Sequence, residues 1–299
     1  MRKRFKKIIT AAVTATMLMS MGIPAFAVND DVAIDETSAS AVYMEAVEKT
    51  DFAQEMDKVY ANAVAKGKIL KTSESEIDSL LEEVTFATGT ERERLKDELA
   101  DCGVYIYETE RASANVQPLS QTADVNVLAP TIAYEAALKE WTVTCGGNWK
   151  NGNWNEAVVN GNIGGVDAFG VGYTNTSGTY NSYVVDAMAY ITDQNQTETV
   201  RTDVRSDGDG QKGFGFRLQD YKNNNKYVGY KWYGSCTYDY RFGSYSGIAT
   251  GYYVHTYSKG NITNVSFGLN GTTAGVGFDI SNKDYSFPAY GNDTPFGVY

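Results

Sequence analysis

From Thr131 onward the apolar residues recur with a period of two. This constrains the chain more than any other feature, because alternation on that scale builds strands with one buried face. The clearest instance is "VSFGLNGTTAGVGFDI". Val265, Phe267 and Leu269 alternate, Asn270-Gly271 supplies a turn, and Ala274, Val276, Phe278 and Ile280 alternate again, which predicts a hairpin. A second hairpin is expected in "GFGFRLQDYKNNNKYVGYKWY", with Phe214, Phe216 and Leu218 answered by Val228, Tyr230 and Trp232 across an asparagine-rich loop. Runs near 166–173, 180–192, 198–205 and 245–258 bring the count to about eight strands and predict an antiparallel β-sandwich or barrel. A short helix is expected in "YEAALKEW". "GVGY" at Gly170, "GFGF" at Gly213 and "GVGF" at Gly275 each set two glycines on one strand face, where a neighbouring ring can lie over the backbone. The sharper reading of these strands is a pore-forming barrel; their unequal spacing argues against a true repeat.

Composition shifts sharply near Pro130. All four tryptophans and eighteen of the 22 tyrosines lie beyond it, while residues 28–130 carry 9 basic and 22 acidic side chains. In this acidic segment Tyr43, Val47, Phe52, Met56, Val59, Tyr60 and Val64 keep a three-to-four spacing and predict one helical stripe in need of a partner. Ser73 with Glu76 and Thr90 with Glu93 have the form of capping boxes, and Gly103 is a natural helix stop. Residues 112–130 hold one charge and two prolines and read as a linker. The division is therefore 1–27 leader, 28–111 acidic helical segment, 112–130 linker and 131–299 Tyr/Gly-rich β domain.

The leader is expected to be a secretory signal peptide: basic residues Arg2 to Lys7, an apolar run from Ile8 to Ile23, and a small-x-small end at Ala25-Phe26-Ala27. Cleavage after Ala27 would export the chain, with 21 basic against 37 acidic residues. Such a surface repels nucleic acid.

The chemistry centres on "TVTCGGNWKNGNW". A cysteine nucleophile needs a histidine and an orienting group, and Cys145, His255 and one of Asn261, Asn264 or Asn270 follow that order. "CGGNW" resembles the signature of papain-like proteases but lacks its second cysteine. The economical reading is a disulfide: Cys145 and Cys236 are the two cysteines of the β domain, and a chain outside the cell meets oxidising surroundings. Cys102 is left over. "GDGQKG" precedes a strand instead of opening a helix, which removes a dinucleotide site and leaves no cofactor expected. Asp203, Asp207 and Asp209 match no calcium loop, a single histidine argues against a histidine-based zinc site, so no metal is expected, and no carboxylate pair is marked for glycoside hydrolysis.

What remains is the aromatic surplus. Trp149 and Trp154 sit in an asparagine-glycine loop and Tyr233 falls on the polar side of its strand, so these three are the candidates for stacking on sugar rings. The expected function is a secreted, non-enzymatic β module that binds cell-envelope or environmental polysaccharide. Two alternatives stand beside it: an antimicrobial or pore-forming protein with an acidic pro-region, acting on a target membrane, and a cysteine hydrolase. "SGIATGYYVHTYSKGNITNVSFG", Ser246 to Gly268, resembles the β-rich lactococcin 972-type bacteriocins over that small part of the chain, which implies export and favours the first alternative.

Overall fold

The computed structural model describes residues 36–108, 123–154, 158–175, 178–206, 209–224, 226–257, 261–270, 273–281 and 286–296. The expected leader and its cleavage point lie outside these residues, as do Asp207 and most of the 112–130 stretch. Three helices come first: α1 (Glu36–Ala65), α2 (Glu74–Phe86) and α3 (Gly89–Asp101). Ser73 caps α2 in the expected box, its side chain accepting from the Glu76 N–H while the Glu76 carboxylate returns to the Ser73 N–H. The second box does not form. α3 begins two residues earlier than that box implies, at Gly89, and its N-cap Thr88 makes no side-chain bond. The helix ends at Asp101, just before Gly103.

Fourteen strands follow among the described residues. They are β1 (Val104–Ile106), β2 (Val125–Val127), β3 (Thr131–Glu135), β4 (Glu140–Trp149), β5 (Gly161–Asn175), β6 (Val184–Thr192), β7 (Thr199–Thr202), β8 (Gly213–Asn223), β9 (Lys226–Val228), β10 (Lys231–Tyr238), β11 (Gly247–Thr256), β12 (Asn261–Asn270), β13 (Thr273–Ser281) and β14 (Ser286–Phe296). One antiparallel sheet runs β1-β3-β4-β10-β6-β7, with β2 also paired to β4, and a second runs β14-β11-β5-β8-β9. The protein is thus mostly β and sandwich-like, and β12 and β13 form the predicted hairpin, closing at Asn270 opposite Thr273.

Three local expectations are corrected. "YEAALKEW" is no helix: β3 and β4 meet there in a tight turn, Glu135 opposite Glu140, with Lys139 at φ 60°. The second hairpin is shorter than expected, because β8 pairs only with Lys226–Val228 before the chain crosses at Gly229-Tyr230 into the other sheet as β10. The 112–130 stretch ends in β2, which is hydrogen-bonded to β4.

Between the sheets lies one aromatic core. Trp141 and Trp149 of β4, Trp232 and Tyr238 of β10, Phe169 and Tyr173 of β5, Phe214 and Phe216 of β8 and Tyr253 of β11 are all buried there. Gly147 lies flat beneath the Trp232 ring, where an added Cβ would come within 2.3 Å of the indole. Gly170 does the same on the outer side of the second sheet, where Tyr252 spans the glycines and its hydroxyl bonds to the Phe214 carbonyl at 3.3 Å. The expectation that a ring lies over the glycine face holds at this strand.

The helices cover the first sheet. Thr85 of α2 bonds Thr144 of β4 at 2.7 Å, and Lys231 of β10 pairs with Glu82 at 3.0 Å beneath the Phe86 ring. Phe52, Met56 and Tyr60 of α1 pack against the core, and Asp57 accepts from the Tyr134 hydroxyl at 2.9 Å. The stripe is narrower than its spacing suggested: Val59 and Val64 face solvent, and the side chains of Tyr43 and Val47 lie outside the described residues.

Candidate functional site

On an inward strand face every second residue meets the core, and in three strands of the second sheet that rule delivers a polar group. Asp167 follows the parity of Phe169 and Val171 on β5, Asp220 that of Phe216 and Leu218 on β8, and His255 that of Tyr253 on β11. β5 lies between the other two strands, so the three side chains converge. His255 Nδ1 is 2.9 Å from Asp167 Oδ2 and 3.8 Å from Asp220 Oδ2. All three residues are essentially without solvent exposure.

Burying carboxylates costs several kcal/mol each unless donors replace water. Here they do. Asp167 Oδ1 accepts from the Thr256 N–H at 2.8 Å, and Oδ2 accepts from the Tyr253 hydroxyl at 2.9 Å. Tyr253 in turn accepts from the Trp149 indole N–H at 3.3 Å. Asp220 Oδ2 accepts from the Tyr227 hydroxyl at 2.7 Å. Burial, reinforced by the adjacent carboxylates, pushes both phenols well above their ordinary range, so they stay protonated and can donate. A carboxylate accepts only, so the His255 nitrogen facing Asp167 carries the proton it shares. The other imidazole nitrogen, Nε2, is enclosed without a hydrogen-bond partner among the described residues, with the rings of Trp149 and Tyr257 set edge-on at 5.1 and 4.8 Å. Among the described residues this is the one group of three acidic, thiol or imidazole side chains whose ligand atoms converge, all within 4.8 Å of one another. Two surface grooves of about 390 and 460 Å³ lie beside α2 and α3 and share no residue with it.

The predicted site residues fall elsewhere or play other parts. No disulfide joins Cys145 and Cys236, which corrects the expected bridge. They share the inner face of neighbouring strands, but Cys145 stands opposite Gly234, two residues from Cys236. Such diagonal neighbours lie about 7–8 Å apart at Cα, beyond the roughly 4.4–6.8 Å a disulfide spans. The nucleophile reading fares no better: burial pushes the Cys145 thiol up, opposite to what attack requires, and His255 turns its nitrogen to Asp167. The side chains of Asn261, Asn264 and Asn270 lie outside the described residues.

Trp149 is fully buried, ringed by Tyr227, Tyr253, His255 and Phe287, and cannot stack on a polymer. Its loop assignment failed because β4 runs on through "CGGNW" to Trp149 itself. Tyr233 does point away from the core, yet it is 1% exposed because α2 covers that face. Trp154 alone of the three keeps an accessible side, stacked at 4.0 Å on Tyr227 with Lys222 over its ring. Exposed aromatic rings occur instead at Tyr183 and Tyr240, 60% and 67% accessible. Arg241 lies 4.0 Å over the first and 5.7 Å from the second, and Asp239 holds the guanidinium through a 2.7 Å bond.

No family model matches the chain, and no curated protein is significantly similar to it. Among solved structures, one described under "pH-induced modulation of Streptococcus parasanguinis adhesion by Fap1 fimbriae" overlaps 64% of this chain and 94% of its own, at 12% identity and a TM-score of 0.29. An overlap that slight carries no inference about this chain. Among the described residues no helix is long and apolar enough to cross a membrane. The run that resembles bacteriocins takes in the interior strand β11 and most of β12, through Gly268.

Proposed function

We propose that this chain is an exported, non-enzymatic β module that binds a cell-envelope or environmental polysaccharide through exposed tyrosines. The observation that carries the reading is the Tyr183–Arg241–Tyr240 cluster. Two accessible rings flank a guanidinium fixed by Asp239, which offers apolar faces beside charged hydrogen-bonding edges, the combination that sugar rings require. The buried cysteines and the enclosed carboxylates support a non-enzymatic role, because neither group meets solvent.

The test retains the pure protein on insoluble cell-wall and plant polysaccharides and, in parallel, measures dye release from liposomes. Retention should weaken several-fold in Tyr183→Ala and in Tyr240→Ala, with the unfolding midpoint unchanged, since each stacked ring contributes about 0.5–2 kcal/mol. Dye release without retention would select the pore-forming alternative.

A further inference from the structure

We propose that Asp167, Asp220 and His255 form a binding site for one divalent first-row cation, of the Zn²⁺ or Mn²⁺ type, buried between the sheets. The ligands are Asp167 Oδ2, Asp220 Oδ2 and His255 Nδ1. Adjacent ligands on bonds of about 2.0–2.2 Å stand roughly 3 to 3.6 Å apart in octahedral or tetrahedral sites. The two separations from Nδ1, 2.9 and 3.8 Å, bracket that span, and all three atoms lie within 4.8 Å of one another. Two carboxylates and one imidazole suit such a cation better than calcium, which takes oxygen alone.

Two further observations point to an ion. The first is charge. A protonated imidazole supplies one positive charge against two carboxylates, whereas a divalent cation with neutral imidazole brings the three groups to zero, the favoured sum in a dry interior. The second is the set of donors that already fixes the ligand carboxylates: Tyr253 and Tyr227 donate to the two of them, and the Thr256 N–H holds the second oxygen of Asp167. With no solvent-exposed ligand the ion has a structural task, joining β5, β8 and β11 from inside.

The experiment strips the full exported chain with chelator, then adds Zn²⁺ or Mn²⁺ and measures metal per chain, the unfolding midpoint and the histidine ¹⁵N shifts. The chain has one histidine, so the signal is unambiguous. The expected result is one ion per chain, a raised midpoint and a metal-bound shift at Nδ1. Affinity should fall by roughly 100-fold or more in Asp220→Asn and not in Asp209→Asn, an exposed carboxylate outside the cluster. Sub-stoichiometric binding, or binding that leaves the histidine shifts unmoved, would overturn the proposal even if the cluster variants fail to fold.

Discussion

Each sheet carries one polar pair at a diagonal register on its inner face: Cys145 with Cys236 in the first, Asp167 with Asp220 in the second. The geometry is shared and the surroundings are not. The thiols sit among Phe216, Gly234 and the Tyr173–Tyr238 pair, where burial pushes the Cys145 thiol up. The carboxylates are met by two phenols, a backbone N–H and an imidazole. The difference teaches that strand register alone decides which residues meet, while the donors around them decide whether the meeting is inert or charged.

The largest effect probes both halves at once. Tyr173 and Tyr238 beside the thiols, Tyr227 and Tyr253 beside the carboxylates, and Tyr233 under α2 all have phenols held well above their ordinary range, burial being the main cause. A raised folded value leaves stability intact below about pH 10 and removes it above. Five such groups weaken the fold by up to about 7 kcal/mol per pH unit, so cooperative unfolding is expected between about pH 11 and 12. Phenolate absorbance of these five should appear with loss of near-ultraviolet dichroism; ionisation of all tyrosines without unfolding would contradict the enclosed core.

Single substitutions sharpen the contrast. Asp167→Ala leaves the Tyr253 hydroxyl, the Thr256 N–H and His255 unmatched and should cost about 3–5 kcal/mol in urea unfolding. Trp149→Ala should cost a similar 3–5 kcal/mol, against about 1–2 kcal/mol for the half-exposed Trp154→Ala. Cys236→Ala removes one core atom from the inert pair and should cost about 1 kcal/mol. Equal costs for Asp167 and Cys236 would erase the distinction between the two halves.

The smallest effect lies at the edge of the first sheet. Burial would raise the Asp193 carboxyl, but the N–H groups of Glu198, Thr197 and Asn195 and the Thr197 hydroxyl outweigh it and hold it below its ordinary value. That contribution is present above about pH 4 and fades as pH falls. Asp193→Asn should therefore lower the unfolding midpoint slightly at neutral pH and leave it unchanged at acid pH.

Much of the fold was legible because alternation fixes strand faces: the hairpin of β12 and β13 and the inward set of β8 follow directly from residue parity. Two kinds of information were not local. Whether Tyr233 meets water depends on α2, about 150 residues earlier in the chain, and β4 continuing through "CGGNW" depends on Trp232 covering Gly147 from β10. The carboxylate–histidine cluster left a faint trace, since Asp167, Asp220 and His255 each interrupt an apolar parity with a titratable group. Only the sheet order β11-β5-β8 shows that the three interruptions coincide.

The most direct test of the central claim, that this cluster is sealed between the sheets, is acylation of His255 by diethyl pyrocarbonate, read by peptide mass spectrometry. The chain has a single histidine, so one peptide carries the answer. The enclosed imidazole predicts no modification in the native protein and full modification in denaturant. Native modification at the rate of free imidazole would place His255 at an open site and contradict the account.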